Sequence, residues 1–136
     1  MSTEQNKTVV RHFWQAYETN DQEALDALLA PDLVARTPGS PEPQSRDQHL
    51  QGISMFNAAF SQRHFTVDEM IAEGDTVATR TTLRGLHTGT FMGHPPTGKP
   101  IRATGLTIER IQNGKIVERW FSFDTAGVMQ ELVTVP

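Results

Sequence analysis

Asn113-Gly114 constrains the fold of this chain more than any other pair of residues. A two-residue type I′ turn needs positive φ at both central positions, and Asn-Gly meets that need at the lowest steric cost. The flanking runs, Ile101 to Ile111 and Lys115 to Phe123, read as its two strands. Upstream, Thr76 to Thr88 is rich in Thr, Val and Leu, as strands prefer. His64 to Ala72 alternates, with Phe65, Val67 and Ile71 on one side, and Glu73-Gly74-Asp75 turns the chain between these two runs.

The first half has a different period. Val9, Val10, Phe13, Trp14 and Tyr17 fall on one face of a helix expected from about Glu4 to Glu18, with Ser2 and Gln5 as its capping box. Asn20 with Glu23 is expected to open a short second helix through Ala24, Leu25, Leu28 and Leu29, which Ala30-Pro31 stops. A brief extended piece, Leu33 to Arg36, precedes a Pro-rich loop from Thr37 to Ser45. A third helix is expected from about Asp47 to Phe60, with Leu50, Ile53, Phe56 and Phe60 towards the core. Asp124 caps a short terminal helix containing Val128, Met129 and Leu132. Helices first and antiparallel strands afterwards indicate an α+β fold.

The length of 136 residues fits one domain, residues 1–136, large enough to bury a core without staples. There are no cysteines, so disulfides, thiolate nucleophiles and thiolate-bound metals are excluded. The net charge of -4 is spread in mixed signs, with no basic stripe of the kind nucleic-acid binders carry. No histidines stand at metal-ligand spacing among carboxylates, so no metal is expected. The polar start lacks the apolar run of a signal peptide, and no segment has the length of a membrane span. The chain is therefore expected to be cytoplasmic, with neither nucleic acid nor membrane as a partner.

Three stretches carry a family resemblance. One is Gly85 to Lys99, with His87-Thr88-Gly89-Thr90-Phe91 and Pro95-Pro96-Thr97-Gly98. Another is Gly105 to Trp120, and the third is the helical start through Ala30-Pro31-Asp32. Together they resemble the SnoaL-like polyketide cyclases of the nuclear transport factor 2-like superfamily. The resemblance implies a cone-shaped curved antiparallel sheet packed on three N-terminal helices, a cystatin-like cone. It also implies a homodimer through the outer sheet face, where Leu106, Ile108 and Trp120 have the right parity. No cofactor is implied.

That family places a catalytic acid after the tryptophan of the last strand, where this chain has Phe121. A glutamine and a histidine of the family's preceding strand correspond to Gly105 and Thr107, and an aspartate-histidine pair to Ala35-Arg36. A carboxyl group in an apolar cavity can move protons near neutral pH because burial raises its pKa. Phenylalanine cannot, so other residues must act if the pocket is catalytic.

Strand alternation puts Val117, Arg119, Phe121 and Phe123 on one face of the last strand and Ile116, Glu118, Trp120, Ser122 and Asp124 on the other, while Ala103, Gly105, Thr107 and Glu109 share a face of the neighbouring strand. The resemblance implies that this face and the one with Phe121 look into the cavity. Glu109 as base and Arg119 as anion stabiliser are candidate catalytic residues, or else a plain cross-strand salt bridge. His87 either bonds a substrate oxygen or fixes the strand-to-loop geometry. Trp14, Tyr17, Arg36, Phe56, Phe60 and Met92, together with Thr107, Phe121 and Phe123, are the candidate pocket residues. Met55 is expected beside them. The expected function is cofactor-free cyclisation, isomerisation or hydration of a small aromatic or polyketide-like carbonyl compound. The alternatives are a non-catalytic binder of such a molecule, favoured by Phe121, and a purely structural dimerisation module with a filled cavity.

Overall fold

The computed structural model describes residues 2–133. Four helices and five strands follow in the order α1 (Thr3–Thr19), α2 (Gln22–Leu28), β1 (Leu29–Arg36), α3 (Arg46–Ala59), β2 (Phe60–Glu73), β3 (Thr76–His87), β4 (Pro100–Gln112), β5 (Lys115–Phe123) and α4 (Thr125–Val133). The strands form one curved, unclosed sheet in the order β1-β5-β4-β3-β2, with helices on its concave side. This is the expected α+β cone. The chief difference is β1, which pairs parallel with β5, so the sheet is antiparallel except along this edge.

Helix α1 begins at the Ser2–Gln5 capping box and buries Val10, Phe13, Trp14 and Tyr17 against the sheet. Full burial of each such side chain contributes roughly 1.5–3 kcal/mol. Asn20 ends α1 with φ 56°, and Asp21, not Asn20, accepts the Ala24 N–H that opens α2. Asparagine tolerates the left-handed region, which suits it to close one helix rather than open the next. Leu29 lies in β1, paired with Ile116, instead of ending α2. Ser45 and Gln48 supply an unforeseen capping box for α3. Asn113 (φ 54°) and Gly114 (φ 76°) make the expected turn.

Two bulges correct the simple alternation. The register between β2 and β3 shifts between Val67 and Glu69, so Met70 and Ala72 turn towards the core while Ile71 is exposed. The register between β4 and β5 shifts between Ile111/Ile116 and Arg110/Glu118, leaving Val117 as the extra residue. Ile116 is therefore buried, not outward as strict alternation implied. An extra residue reverses facing on one side of a bulge, and nothing in the local sequence announces either one.

Beyond the second bulge the alternation holds, and the cross-strand pairs define three rows on the concave face. One is Ala72–Val77–Glu109–Arg119–Ala35, the next Met70–Thr79–Thr107–Phe121, the third Val67–Thr81–Gly105–Phe123.

Candidate functional site

The hairpin β4–β5 sets Glu109 directly opposite Arg119, and both are fully buried. The Arg119 Nε donates to Glu109 Oε2 at 2.9 Å, and the Thr107 hydroxyl donates to Glu109 Oε1 at 3.0 Å. A third partner comes from α3, where the Arg119 Nη1 lies 3.1 Å from His49 Nε2. A guanidinium only donates, so His49 Nε2 is the acceptor. Its proton is therefore on Nδ1, which donates to Gln44 Oε1 at 3.3 Å. Gln44 is itself latched to β1 by two backbone bonds with Ala35.

Aromatic rings enclose this polar centre. The guanidinium carbon of Arg119 is 4.4 Å from the Phe13 ring centroid and 5.1 Å from those of Trp14 and Phe121. Burial pushes His49 down to about 3, with the Arg119 charge adding to the effect, so the ring is neutral. Burial raises the Glu109 carboxyl and lowers Arg119, each opposed by the other's charge. The two titrate as one unit, because a neutral Glu109 would leave a buried guanidinium uncompensated. Burial also pushes the Tyr17 phenol up, against the pull of Arg119 and Arg63, so it remains a hydrogen-bond donor.

A cavity of about 480 Å³ opens beside this cluster. Its polar wall is Tyr17, Thr37, Gln44, His49, Arg119 and Thr125; Phe56, Phe121 and Phe123 belong to its apolar wall. Met92 sits at its exposed rim. Both ends of the Pro-rich loop, Thr37 and Gln44, thus contribute to the wall. Among the described residues, no aspartate or glutamate does. A wider depression of about 650 Å³ lies against β3, β4 and α4, but its Arg84, Arg102 and Glu131 are exposed surface residues. The buried polar centre makes the first cavity the stronger candidate.

Of the expected pocket residues, Tyr17, Phe56, Met92, Phe121 and Phe123, with Arg119, line this cavity. Trp14 and Phe60 are packed behind it, Trp14 stacked on Tyr17 and Phe60 tilted against Phe56. Thr107 and Glu109 are a layer deeper, so Glu109 reaches the cavity only through Arg119. Arg36 is a correction: it pairs with Trp120 and lies 5.4 Å over that exposed ring, on the convex face. Met55 is another, exposed on the outside of α3.

His87 is buried away from the cavity wall. Its Nδ1 accepts the Thr97 N–H at 3.2 Å and lies 2.9 Å from the Thr97 hydroxyl, while its backbone bonds Lys99 and Gly98. It anchors the Pro95-Pro96-Thr97-Gly98 loop, which accounts for that segment structurally. His49 was missed from sequence. The signal was one polar residue at helical spacing with Ile53 and Phe56, in a face otherwise read as core.

The family model for SnoaL-like polyketide cyclases matches residues 7–132. IdmH from Streptomyces antibioticus, a candidate polyketide cyclase, is 33% identical, with a TM-score of 0.85 over 96% of this chain and 99% of that one. AclR from Streptomyces galilaeus, a candidate hydroxylase, is 25% identical, with a TM-score of 0.90 over 99% and 100%. TsrD from Streptomyces laurentii, at 23% identity and a TM-score of 0.85 over 99% of each chain, shares the fold. No curated protein matches the chain.

Proposed function

This chain belongs to the SnoaL-like polyketide cyclase family, and we propose that its cavity holds a small aromatic or polyketide-like carbonyl compound with the carbonyl oxygen against Arg119. Cofactor-free ring closure, isomerisation or hydration then proceeds by stabilising negative charge on that oxygen. One observation carries the reading. Arg119 is a buried cation in the cavity wall, pinned by Glu109 and His49, and its Nη2 has no partner among the described residues. A donor fixed in advance beside developing negative charge in a dry site stabilises the transition state without reorganising. Tyr17 adds a phenol donor from α1.

A binding-only role has one specific observation in its favour: among the described residues the cavity wall carries no carboxylate, and Phe121 stands where the family acid belongs. Calorimetry with 1-tetralone and product analysis with a soluble 1,5-diketone separate the two. A ketone at a hundred times its dissociation constant is expected to stabilise the fold by about 2.7 kcal/mol. Tyr17→Phe is expected to weaken binding by about tenfold through the lost hydrogen bond. Ring closure yields a product of unchanged mass with one carbonyl replaced by a hydroxyl. Binding without turnover sides with a binder, and an added oxygen atom sides with AclR-like chemistry. Absence of any ketone binding overturns the reading.

The proposed assembly is a homodimer through the convex face. Ile71, Ala78, Ile108 and Trp120 are successive cross-strand neighbours there, and Ile71, Ile108 and Trp120 are exposed, as is Leu106 one row away. Contiguous exposed apolar surface of this kind marks interaction sites. Light scattering is expected to give a dimer for the native chain and a folded monomer for Ile108→Glu/Trp120→Glu. A monomeric native chain at micromolar concentration refutes the assembly.

A further inference from the structure

We propose that the concave face carries a second, hydrogen-bonding subsite behind Phe123, formed by the Thr79 and Thr81 hydroxyls and the Trp14 indole N–H. It takes a hydroxyl or carbonyl oxygen at the buried end of the ligand. The inference rests on the cavity being a pocket for a carbonyl compound, as argued above, and names a further feature of that compound.

Three buried polar atoms on this side of the fold have no partner among the described residues: Thr79 Oγ1, Thr81 Oγ1 and Trp14 Nε1. Their residues are at least 97% buried. Folded proteins pair nearly all such atoms, and an orphan in a native structure calls for a partner. The register places them. Thr79 lies between Met70 and Thr107, and Thr81 between Val67 and Gly105, in adjacent rows under α1. The Trp14 ring is 5.1 Å from the Arg119 guanidinium, 4.9 Å from Phe65 and 6.2 Å from Phe123, which puts it over the same rows. The same face of β3 carries Val77 and Leu83 on either side of the two threonines. That face therefore accepts apolar side chains, and valine would fit both threonine sites without an orphan. Thr81 and the cavity-lining Phe123 both adjoin Gly105, so the threonine row starts directly behind the cavity wall.

Phe123 is the partition. It lines the cavity and lies directly on Gly105. A Cβ on Gly105 would come within 2.6 Å of the Phe123 ring and 3.1 Å of the Thr81 hydroxyl. Only glycine lets the ring rest there, and rotation of this one side chain is the proposed route from the cavity to the threonine row. The indole only donates, while the hydroxyls donate or accept. The matching group is therefore a keto or phenolic oxygen, and an ammonium is excluded. With Arg119 at the other end, the ligand class is an apolar or aromatic body with oxygen at both ends.

The test compares 1-tetralone with its ring-hydroxylated analogues by calorimetry, on the native chain and on Thr79→Val/Thr81→Val. The native chain is expected to bind at least one hydroxylated analogue about tenfold more tightly than 1-tetralone. The double variant is expected to lose that preference, keep its affinity for 1-tetralone, and melt no lower than the native chain. A crystal structure of the preferred complex is expected to show Phe123 rotated and the ligand oxygen on the threonine hydroxyls. Two results overturn the subsite: 1-tetralone binding with no hydroxyl preference in the native chain, or a preference that survives in the variant. If the native chain binds no ketone at all, the pocket reading itself fails and the subsite falls with it.

Discussion

Replacing Glu109 with alanine is expected to lower the stability of the fold by about 3–5 kcal/mol, the usual cost of leaving a buried charge without its partner. Glu109 is fully buried and bonds the Nε of an equally buried Arg119, and among the described residues no other carboxylate is bonded to that guanidinium. The change also leaves the Thr107 hydroxyl unpaired. For a domain whose total stability is about 5–15 kcal/mol, that is a large fraction. The double change Glu109→Leu/Arg119→Met removes both charges and keeps the volume. It is expected to recover most of the loss, because an apolar pair often replaces a buried ion pair at little cost. The recovered protein should nonetheless have lost its affinity for carbonyl ligands. That combination of results would separate the roles, with the pair serving the ligand and not the stability of the fold. Urea denaturation of the three proteins decides the matter. A Glu109→Ala cost below about 1 kcal/mol would mean that water reaches the pair and that the site is not the dry centre described here.

The sequence revealed the fold largely through its punctuation. Asn113-Gly114, the Ser2–Gln5 box and Asp124 each act locally, and each does in the structure what its side chain predicts. The Arg119–Glu109 partnership was legible too, because alternation past a two-residue turn fixes who stands opposite whom. What escaped notice depends on distant packing. The bulges at Val67/Glu69 and at Val117 leave no local signature, so Ile71 and Ile116 were placed on the wrong faces. Arg36 was assigned to the pocket by analogy, but the parallel pairing of β1 with β5 turns it to the convex side beside Trp120. His49 was overlooked because its role exists only once α3 lies across β5. A histidine on an apolar helix face has no meaning until its partner is known. Gly105 read as a loss of chemistry, and in the structure it is the seat of the Phe123 ring.

His49 also makes the fold sensitive to acid. Its ring is held neutral, with the pKa pushed from 6.5 down to about 3 by burial and by the Arg119 charge. A base with a lower pKa in the folded state binds fewer protons folded than unfolded, so stability rises with pH between the two values. The contribution is complete above about pH 6.5 and is lost as the pH falls from there towards 3. The groups around the ring reinforce the effect. Arg119 donates to Nε2 from β5, Gln44 accepts from Nδ1 out of the loop, and Glu109 is shielded behind Arg119. A proton on Nε2 would break the bond to Arg119 and set two cations against each other. At about 1.4 kcal/mol per pH unit, the native chain is expected to lose on the order of 3 kcal/mol between pH 7 and pH 4.5 from this residue alone. His49→Gln keeps an acceptor for Arg119 and a donor for Gln44 but has no proton to gain. Its stability is expected to be nearly flat over that interval, and the difference between the two denaturation series isolates His49 from the carboxylates. Parallel declines would show that the ring is already open to solvent and that Arg119 is held by Glu109 alone.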